Sequence, residues 1–554
     1  MILHHQGHQL LTAALAALST TVTAAPAVTS PNKSSSSSSS SSVVVVSQSV
    51  PESAGLPVLH PFVSFSIEFV FFPDYAGNRS HPNTFSNNLL DNLAELEGVK
   101  PFIRVGGITQ DFALYDPTLP TATNGTYVPS ISTDYPLILT IGPSYFESYS
   151  TWPGARFIHG FNLGRNTSAQ FAQLLETVPL VCAALANGKL AYWELGNEPD
   201  LYKTSAQGAV RPPTWTERDY VNEWVNKTTA IQQKMRASCA GGEEFADAKY
   251  IAPSFAGVSN CLNPVVTWEN GLDRKGNIAL NSEHNYIGGA TQPGVTLQKT
   301  LMNHTMTVQS VAQHVNVSTI LFQKNLTTDI PYILGETNSL YNEGASGLSN
   351  SFGAALWGVD FNLYCASQNI RRTHMHQGRD FRYASWQPVD TNRTTIGTKA
   401  PYYGNVMVAA MLHGGEGGEQ DDVQIANLPL KQDTEAAYAA YVNGALARIA
   451  VINLVEFNYT GSTTTGSSER PNASYVFQVP SAAAGTTVSV QRLIANGSDA
   501  ITGITWDGWS YNYELNNGKP VRLSNITAEE TVPVSTDGTV SIEVPYSSAA
   551  LLTW

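Results

Sequence analysis

The sequence predicts a (β/α)8 barrel, the TIM-barrel architecture, followed by a C-terminal all-β sandwich, and three observations predict it. Between residues 51 and 411, apolar stretches of strand length alternate with helix-like stretches about eight times. Each apolar stretch closes on Gly, Asn, His or Glu, as a strand does where it leaves a core. From residue 412 to 554 the texture becomes short β-branched runs separated by Gly, Ser, Asn and Thr.

Eight strands follow from the first pattern: "FSIEF" (65–69), "PFIRVGG" (101–107), "RFIHGFNLG" (156–164), "LAYWELGNE" (190–198), "YIAPSF" (250–255), "LNSEHNY" (280–286), "PYILGET" (331–337) and "RTHMHQG" (372–378). Between them, "SAQFAQLLETVPLVCAALANG" and "TERDYVNEWVNKTTAIQQKMRASC" place apolar residues at helical spacing behind a capping Ser or Thr. "ALARIAVINLVEF", "ASYVFQVP", "TTVSVQRLI" and "GTVSIEVPYSSAALLTW" supply the sandwich, to which residues just before 62 are expected to contribute.

The chain of 554 residues carries a net charge of −14, and with no long basic cluster it is not expected to bind nucleic acid or an anionic membrane. Residues 1–24 read as a secretory signal peptide, with an apolar, small-residue core at 10–24 and a cleavage site at Val22-Thr23-Ala24, although no Lys or Arg precedes that core. Residues 25–50, with nine consecutive serines at 34–42, read as a disordered linker. Thirteen N-x-S/T sites, from Asn32 to Asn525, favour a secreted, extracellular glycoprotein. Cys182, Cys239, Cys261 and Cys365 allow up to two disulfides in three pairings.

In a barrel, chemistry sits where the strands end, and two strand ends carry a glutamate: Glu198 in "LGNEPD" and Glu336 in "ILGETNS". On strands four and seven they face each other across the mouth. Two carboxylates flanking one substrate make glycoside hydrolysis the leading reaction, since the departing oxygen needs a proton and the anomeric carbon a nucleophile or activated water. Their environments must differ, so that one stays protonated while the other is ionised. His374 and His376 share a strand face, but with no third ligand nearby neither a metal nor any other cofactor is expected.

The longer strings "SFSIEFVFFPDYAGN", "KPFIRVGGITQD", "GPSYFES", "GETNSLYNEGASGLSNSFGAALWGVDFNLYCAS" and "HMHQGRDFRYASWQP" resemble glycoside hydrolase family 79, in its fungal β-glucuronidase-like branch, from about residue 60 to 410 and more weakly beyond. The resemblance implies that Glu198 is the general acid/base and Glu336 the nucleophile. It implies that Asn197 binds the sugar's 2-hydroxyl, that His284 and Tyr286 flank the nucleophile, and that Arg104 keeps it ionised. The loop after the last strand, with backbone amides around Gln377 and Gly378 and the Tyr383 hydroxyl, is expected to receive the carboxylate of a glucuronic acid. One departure is Ile108, where relatives carry Asn after the two glycines.

The expected function is therefore a secreted, monomeric, retaining exo-β-glucuronidase that removes terminal β-linked glucuronic acid, 4-O-methylated or not, from glycans. An endo-acting enzyme of heparanase type, a neutral-sugar glycosidase on the same barrel and a non-catalytic glycan-binding wall protein are the competing readings.

Overall fold

The computed structural model describes residues 43–205, 207–414, 421–459, 469–480, 483–526 and 529–554. Eight parallel strands close into a barrel in sequence order: β1 (Val63–Glu68), β2 (Ile103–Gly106), β3 (Phe157–Phe161), β4 (Leu190–Leu195), β5 (Tyr250–Phe255), β6 (Ile278–Gly289), β7 (Tyr332–Tyr341) and β8 (Ile370–Gln377). All eight stretches expected from the sequence are strands, shifted by a few residues at their ends.

Alternation along each strand sorts side chains between two environments. Val63, Phe65 and Ile67 of β1, Ile103 and Val105 of β2, and Trp193 and Leu195 of β4 join the large core between barrel wall and helices. Ser66, Arg104, Glu194 and His376 meet one another inside the barrel. Below this polar layer, Ile158, Ile251, Leu280 and Ile333 form a separate apolar cluster. They come from β3, β5, β6 and β7, and β3 is no neighbour of the other three, so they can meet only in the interior. The barrel is thus plugged with hydrocarbon at its base and polar towards its mouth.

The outer helices begin where the sequence offers caps. Thr167 and Thr216 each accept a hydrogen bond from the backbone three residues on, and Gln170 and Asp219 return one, giving two capping boxes. The helix Phe352–Ser367 and the helix Ala400–Met411 are buried on every face. Their close approach depends on Gly404, where a Cβ would fall 2.4 Å from the carbonyl oxygen of Ala355.

Those two helices are buried because a nine-stranded sheet covers them. Its strand Glu435–Val442 reads "EAAYAAYV" because both faces are buried. Ala436, Tyr438 and Ala440 pack towards the barrel, while Ala437, Ala439 and Tyr441 face a second core. That second core lies under a three-stranded sheet of Val43–Val45, Asn472–Gln478 and Thr539–Pro545, which completes the sandwich.

One expectation needs adjusting. Val43–Val45 pairs with Val476–Gln478, and Ser49 bridges to Ala445, so residues 43–50 belong to the sandwich rather than to a disordered linker. The backbone N–H groups of Gly55 and Val58 also donate to Ile425 and Val423, extending the contribution of the residues before 62. The signal peptide at 1–24 and the serine run at 34–42 lie outside the described residues. A small sheet of Ala113–Tyr115, Thr123–Thr126 and Ile138–Ile141, inserted after β2, was not anticipated.

Of the four cysteines, Cys182 and Cys239 form a disulfide that ties the helix Ser168–Ala184 to the end of the helix Glu217–Ser238; Cys261 and Cys365 are thiols. Among the described residues, no helix is long and apolar enough to cross a membrane.

Candidate active site

Glu336 does not reach the interior by simple alternation. From Ile333 in the basal plug, a regular strand would turn residue 336 outward. The pairing of β6 with β7 slips between Glu283 and His284, so that Leu334 faces Glu283 but Glu336 faces His284. This bulge turns the carboxylate inward. There Oε2 accepts from Nη1 of Arg104 at 2.7 Å and Oε1 accepts from the hydroxyl of Tyr286 at 2.7 Å. Burial works against ionisation of Glu336, but His376, His284 and Arg104 around it, with the Tyr286 hydrogen bond, outweigh it. Its carboxyl is held well below the usual range.

Glu198 lies three residues beyond the end of β4, in the left-handed region at φ 49°. That conformation costs about 1 kcal/mol for a residue with a Cβ. It is held by the Glu198 N–H, which donates to the Ser254 carbonyl at 2.9 Å, and by Pro199, which starts the following turn. The side chain is half-buried, with Oε1 3.0 Å from Nδ1 of His284. Burial and then the charge of Glu336 push its carboxyl up to about 8, against the pull of Arg104 and His376. The two glutamates therefore occupy opposite protonation states around neutrality, as general acid and nucleophile require.

Arg104 organises the centre. It is fully buried, and Nε donates to both oxygens of Glu194 at 2.9 and 3.1 Å. Nη1 donates to Ser66 as well as Glu336, and Nη2 donates to Oδ1 of Asn197 at 2.8 Å. The last contact turns the Asn197 amide so that Nδ2 is the group left for a ligand. Such a guanidinium is tolerated in the interior only because every arm meets an acceptor.

A cavity of about 670 Å³ opens above these groups, lined by Asn197, Glu198, Glu336, Tyr286, His376 and Tyr383 among others. An oxygen of Glu198, an oxygen of Glu336 and a ring nitrogen of His284 lie within 4.8 Å of one another, the one such convergence among the described residues. Those atoms would also suit a cation, but both oxygens of Glu336 already accept from Arg104 and Tyr286, and the donor set reads as acid/base machinery.

The C-terminal β domain of glycosyl hydrolase family 79 matches residues 437–551. A β-glucuronidase of Aspergillus niger is 73% identical over 511 residues, spanning 92% of this chain and 93% of that protein. The chain belongs to glycoside hydrolase family 79. Within it, the chain falls in the fungal β-glucuronidase-like branch, since a Neurospora crassa β-glucuronidase is also 52% identical over 87% of this chain and 90% of that protein. Among solved structures, a 4-O-α-L-rhamnosyl-β-D-glucuronidase from Fusarium oxysporum 12S shares the fold, with a TM-score of 0.73 at 24% identity over 92% of this chain and 100% of that one. A family 51 α-L-arabinofuranosidase from Bifidobacterium longum aligns with a TM-score of 0.57 at 15% identity over 92% of this chain and 98% of that one.

The architecture of this family 79 hydrolase corrects several assignments made from sequence. His284 does flank Glu336, on the neighbouring strand, but its ring Nδ1 pairs with Glu198. Gln377 and Gly378 stay out of the cavity. Oε1 of Gln377 accepts from the Ser385 amide at 2.7 Å, and Gly378 packs so tightly on Phe381 that a Cβ would fall 2.3 Å from the ring. Tyr383 does line the cavity, its ring 6.0 Å from that of Tyr286. Ile108, the departure in the β2 loop, also lines it.

Two groups were missed by reading the sequence of this hydrolase, and a third, His376, is offered by the sequence only as a donor to the sugar's carboxylate. Asp111, buried at the end of the "GGITQD" segment, accepts from the amides of Leu163, Gly164 and Asn197 and from the Tyr202 hydroxyl, fixing the loop that carries Glu198. His376 bridges Ser66, Glu68 and Glu336; burial opposes its charge, but Glu336 and then Glu68 raise its pKa. Asn342 and Glu343, at the end of β7, are both left-handed at φ 60° and 59° and both line the cavity. Among the described residues, their N–H groups donate to no protein acceptor. Only the polar string "YNEG" hinted at this turn.

Proposed function

We propose that this enzyme is a retaining exo-β-glucuronidase acting by double displacement, the reading carried by the opposed states of Glu198 and Glu336 within one 4.8 Å cluster. Nearest oxygens within 4.8 Å of each other suit the roughly 5–5.5 Å between carboxyl groups that a covalent intermediate needs and fall short of the roughly 6.5–9.5 Å of an inverting pair. Glu336 attacks the anomeric carbon as Glu198 gives its proton to the departing oxygen. Glu198, now ionised, then takes a proton from water, whose oxygen displaces Glu336. Tyr286 and Arg104 hold the nucleophile in place, and Nδ2 of Asn197 donates to the 2-hydroxyl, a contact that strengthens as charge develops.

The sugar's carboxylate is assigned to the free amides of Asn342 and Glu343 together with the hydroxyl of Tyr383. Paired backbone N–H groups in a concave turn suit an oxyanion, and a phenol kept protonated by burial completes the set. This replaces the amides of Gln377 and Gly378. The identity to the Aspergillus niger β-glucuronidase supports the same substrate class. Arg379 and Arg382 are spent on Asp74 and Asp134, which leaves them poor anchors for a long polyanion and favours exo over endo action.

Secretion of a glycosylated monomer, with a leader at 1–24 and a barrel giving way to the sandwich near 411, completes the proposal. Of the twelve described sequon asparagines, all but Asn303 are exposed, as glycan attachment requires.

The deciding experiment compares p-nitrophenyl β-D-glucuronide with the β-D-glucoside and the α-L-arabinofuranoside, following the first-formed anomer by NMR. Glucuronide turnover releasing the β-anomer is expected. Turnover confined to a neutral sugar would remove the uronate assignment, and an α-anomer would remove the covalent intermediate.

A further inference from the structure

The wall assigned to the sugar's carboxylate carries a carboxyl of its own. Glu343 contributes an amide to that wall, and its side chain lines the same cavity. The turn is clamped from the β8 side: the Arg382 amide donates to the Glu343 carbonyl at 2.7 Å, and its guanidinium donates to the carbonyls of Asn342 and Gly344.

The Glu343 carboxyl is surrounded from three segments. Asp134 and Tyr135 come from the insertion after β2, Arg382 and Tyr383 from the β8 loop, and Glu68 from the end of β1. Asp134 takes both arms of Arg382 at 2.9 and 3.2 Å and one arm of Arg393 at 2.8 Å. Glu343 is left with a single 3.6 Å contact to Arg382 and a hydrogen bond to Asp134. Two carboxyls bonded to each other need a shared proton. Asp134 is the ionised partner: burial opposes its charge, but Arg382 and Arg393 draw it below the usual range. Glu343 is the protonated one, pushed up to about 7 by burial and then by Asp134, against the pull of Arg382.

We propose that Glu343 is the specificity-determining residue for substrate charge: protonated, it donates to Asp134 and leaves the turn free to hold a uronate, and ionised, it repels one. This assignment rests on the uronate subsite described above. Because amide and carboxyl belong to one residue that lines the cavity, a carboxylate bound at that amide is a near neighbour of the side chain, and a like charge a few ångströms off in a partly buried setting weakens binding about tenfold or more. Glutamine in its place keeps the hydrogen bond to Asp134 and never ionises.

The test is calorimetric titration of the full chain with D-glucuronate, whose own carboxyl is ionised throughout, at pH 5.5, 6.5 and 7.5. The native enzyme is expected to lose about three- to fourfold in affinity across that range as Glu343 ionises. Glu343→Gln is expected to lose no more than about twofold, the remaining slope coming from Glu198 and shared by both proteins. Asp134→Asn removes the neighbouring charge, so its loss of affinity is expected to set in at lower pH than in the native enzyme, a shift in the opposite sense that a merely structural role would not produce. Parallel pH dependence in native enzyme and Glu343→Gln, with binding intact, overturns the role of Glu343 alone. Absence of D-glucuronate binding at every pH, with turnover of a neutral glycoside, overturns the uronate subsite and this role with it.

Discussion

The barrel mouth and the large C-terminal sheet are both buried, yet they are built by opposite means. In the sheet, alternation is unbroken along Ala436–Tyr441, each residue facing one of two apolar cores. At the mouth, regular geometry gives way at several of the site's residues: a bulge turns Glu336 inward, and Glu198, Asn342 and Glu343 adopt left-handed backbones. Regular geometry serves stability, where one apolar neighbour substitutes for another. Irregular geometry serves the site, where single atoms must converge.

The contrast can be broken from either side. Glu336→Gln is expected to remove the largest effect, lowering kcat by about 10⁴-fold or more in single-turnover assays while the melting temperature stays near native. Glu198→Gln should cost about 10²–10⁴-fold with a poor leaving group and much less with p-nitrophenol, which departs without a proton. In the native enzyme kcat should fall above about pH 8, where Glu198 loses the proton it must donate, and should persist well into acid, because Glu336 stays ionised there, while kcat/KM should begin to fall nearer pH 7 as Glu343 ionises. Loss of activity between pH 5 and 6 on the alkaline limb would refute the assignment of the acid.

On the regular side, Phe477→Ala removes a fully buried ring from the sandwich core and is expected to cost about 3–5 kcal/mol in denaturant unfolding with kcat unchanged. A parallel loss of kcat would mean that the sandwich shapes the site. Tyr286→Phe is the smallest of the set: losing one hydrogen bond to Glu336 should lower kcat about 10–100-fold at nearly native stability.

Much of this was legible before any coordinates. The eight strands are read from residues such as Phe65, Val105, Trp193 and Leu334, whose types suit a wall buried on both sides. Glu198 and Glu336 were legible because a carboxylate directly after such a run is unusual. Asp111 and His376 were not, since nothing local says that the one gathers three loops or that the other sits between two carboxyls. Gln377 was misread for the same reason. Its backbone amide is expected at the site, but Gln377 pairs with Ile67 in the barrel wall and does not line the cavity.

The sequence by itself determined the barrel, the sandwich and the two carboxylates proposed for catalysis, because strand period, helix caps and residue type are local properties. Tertiary structure alone decided which carboxyl is protonated, which turn offers its amides, and that Arg104 joins Glu194, Asn197 and Glu336. Those outcomes depend on burial and on charges brought within a few ångströms from segments tens to hundreds of residues apart, and no local pattern encodes that proximity.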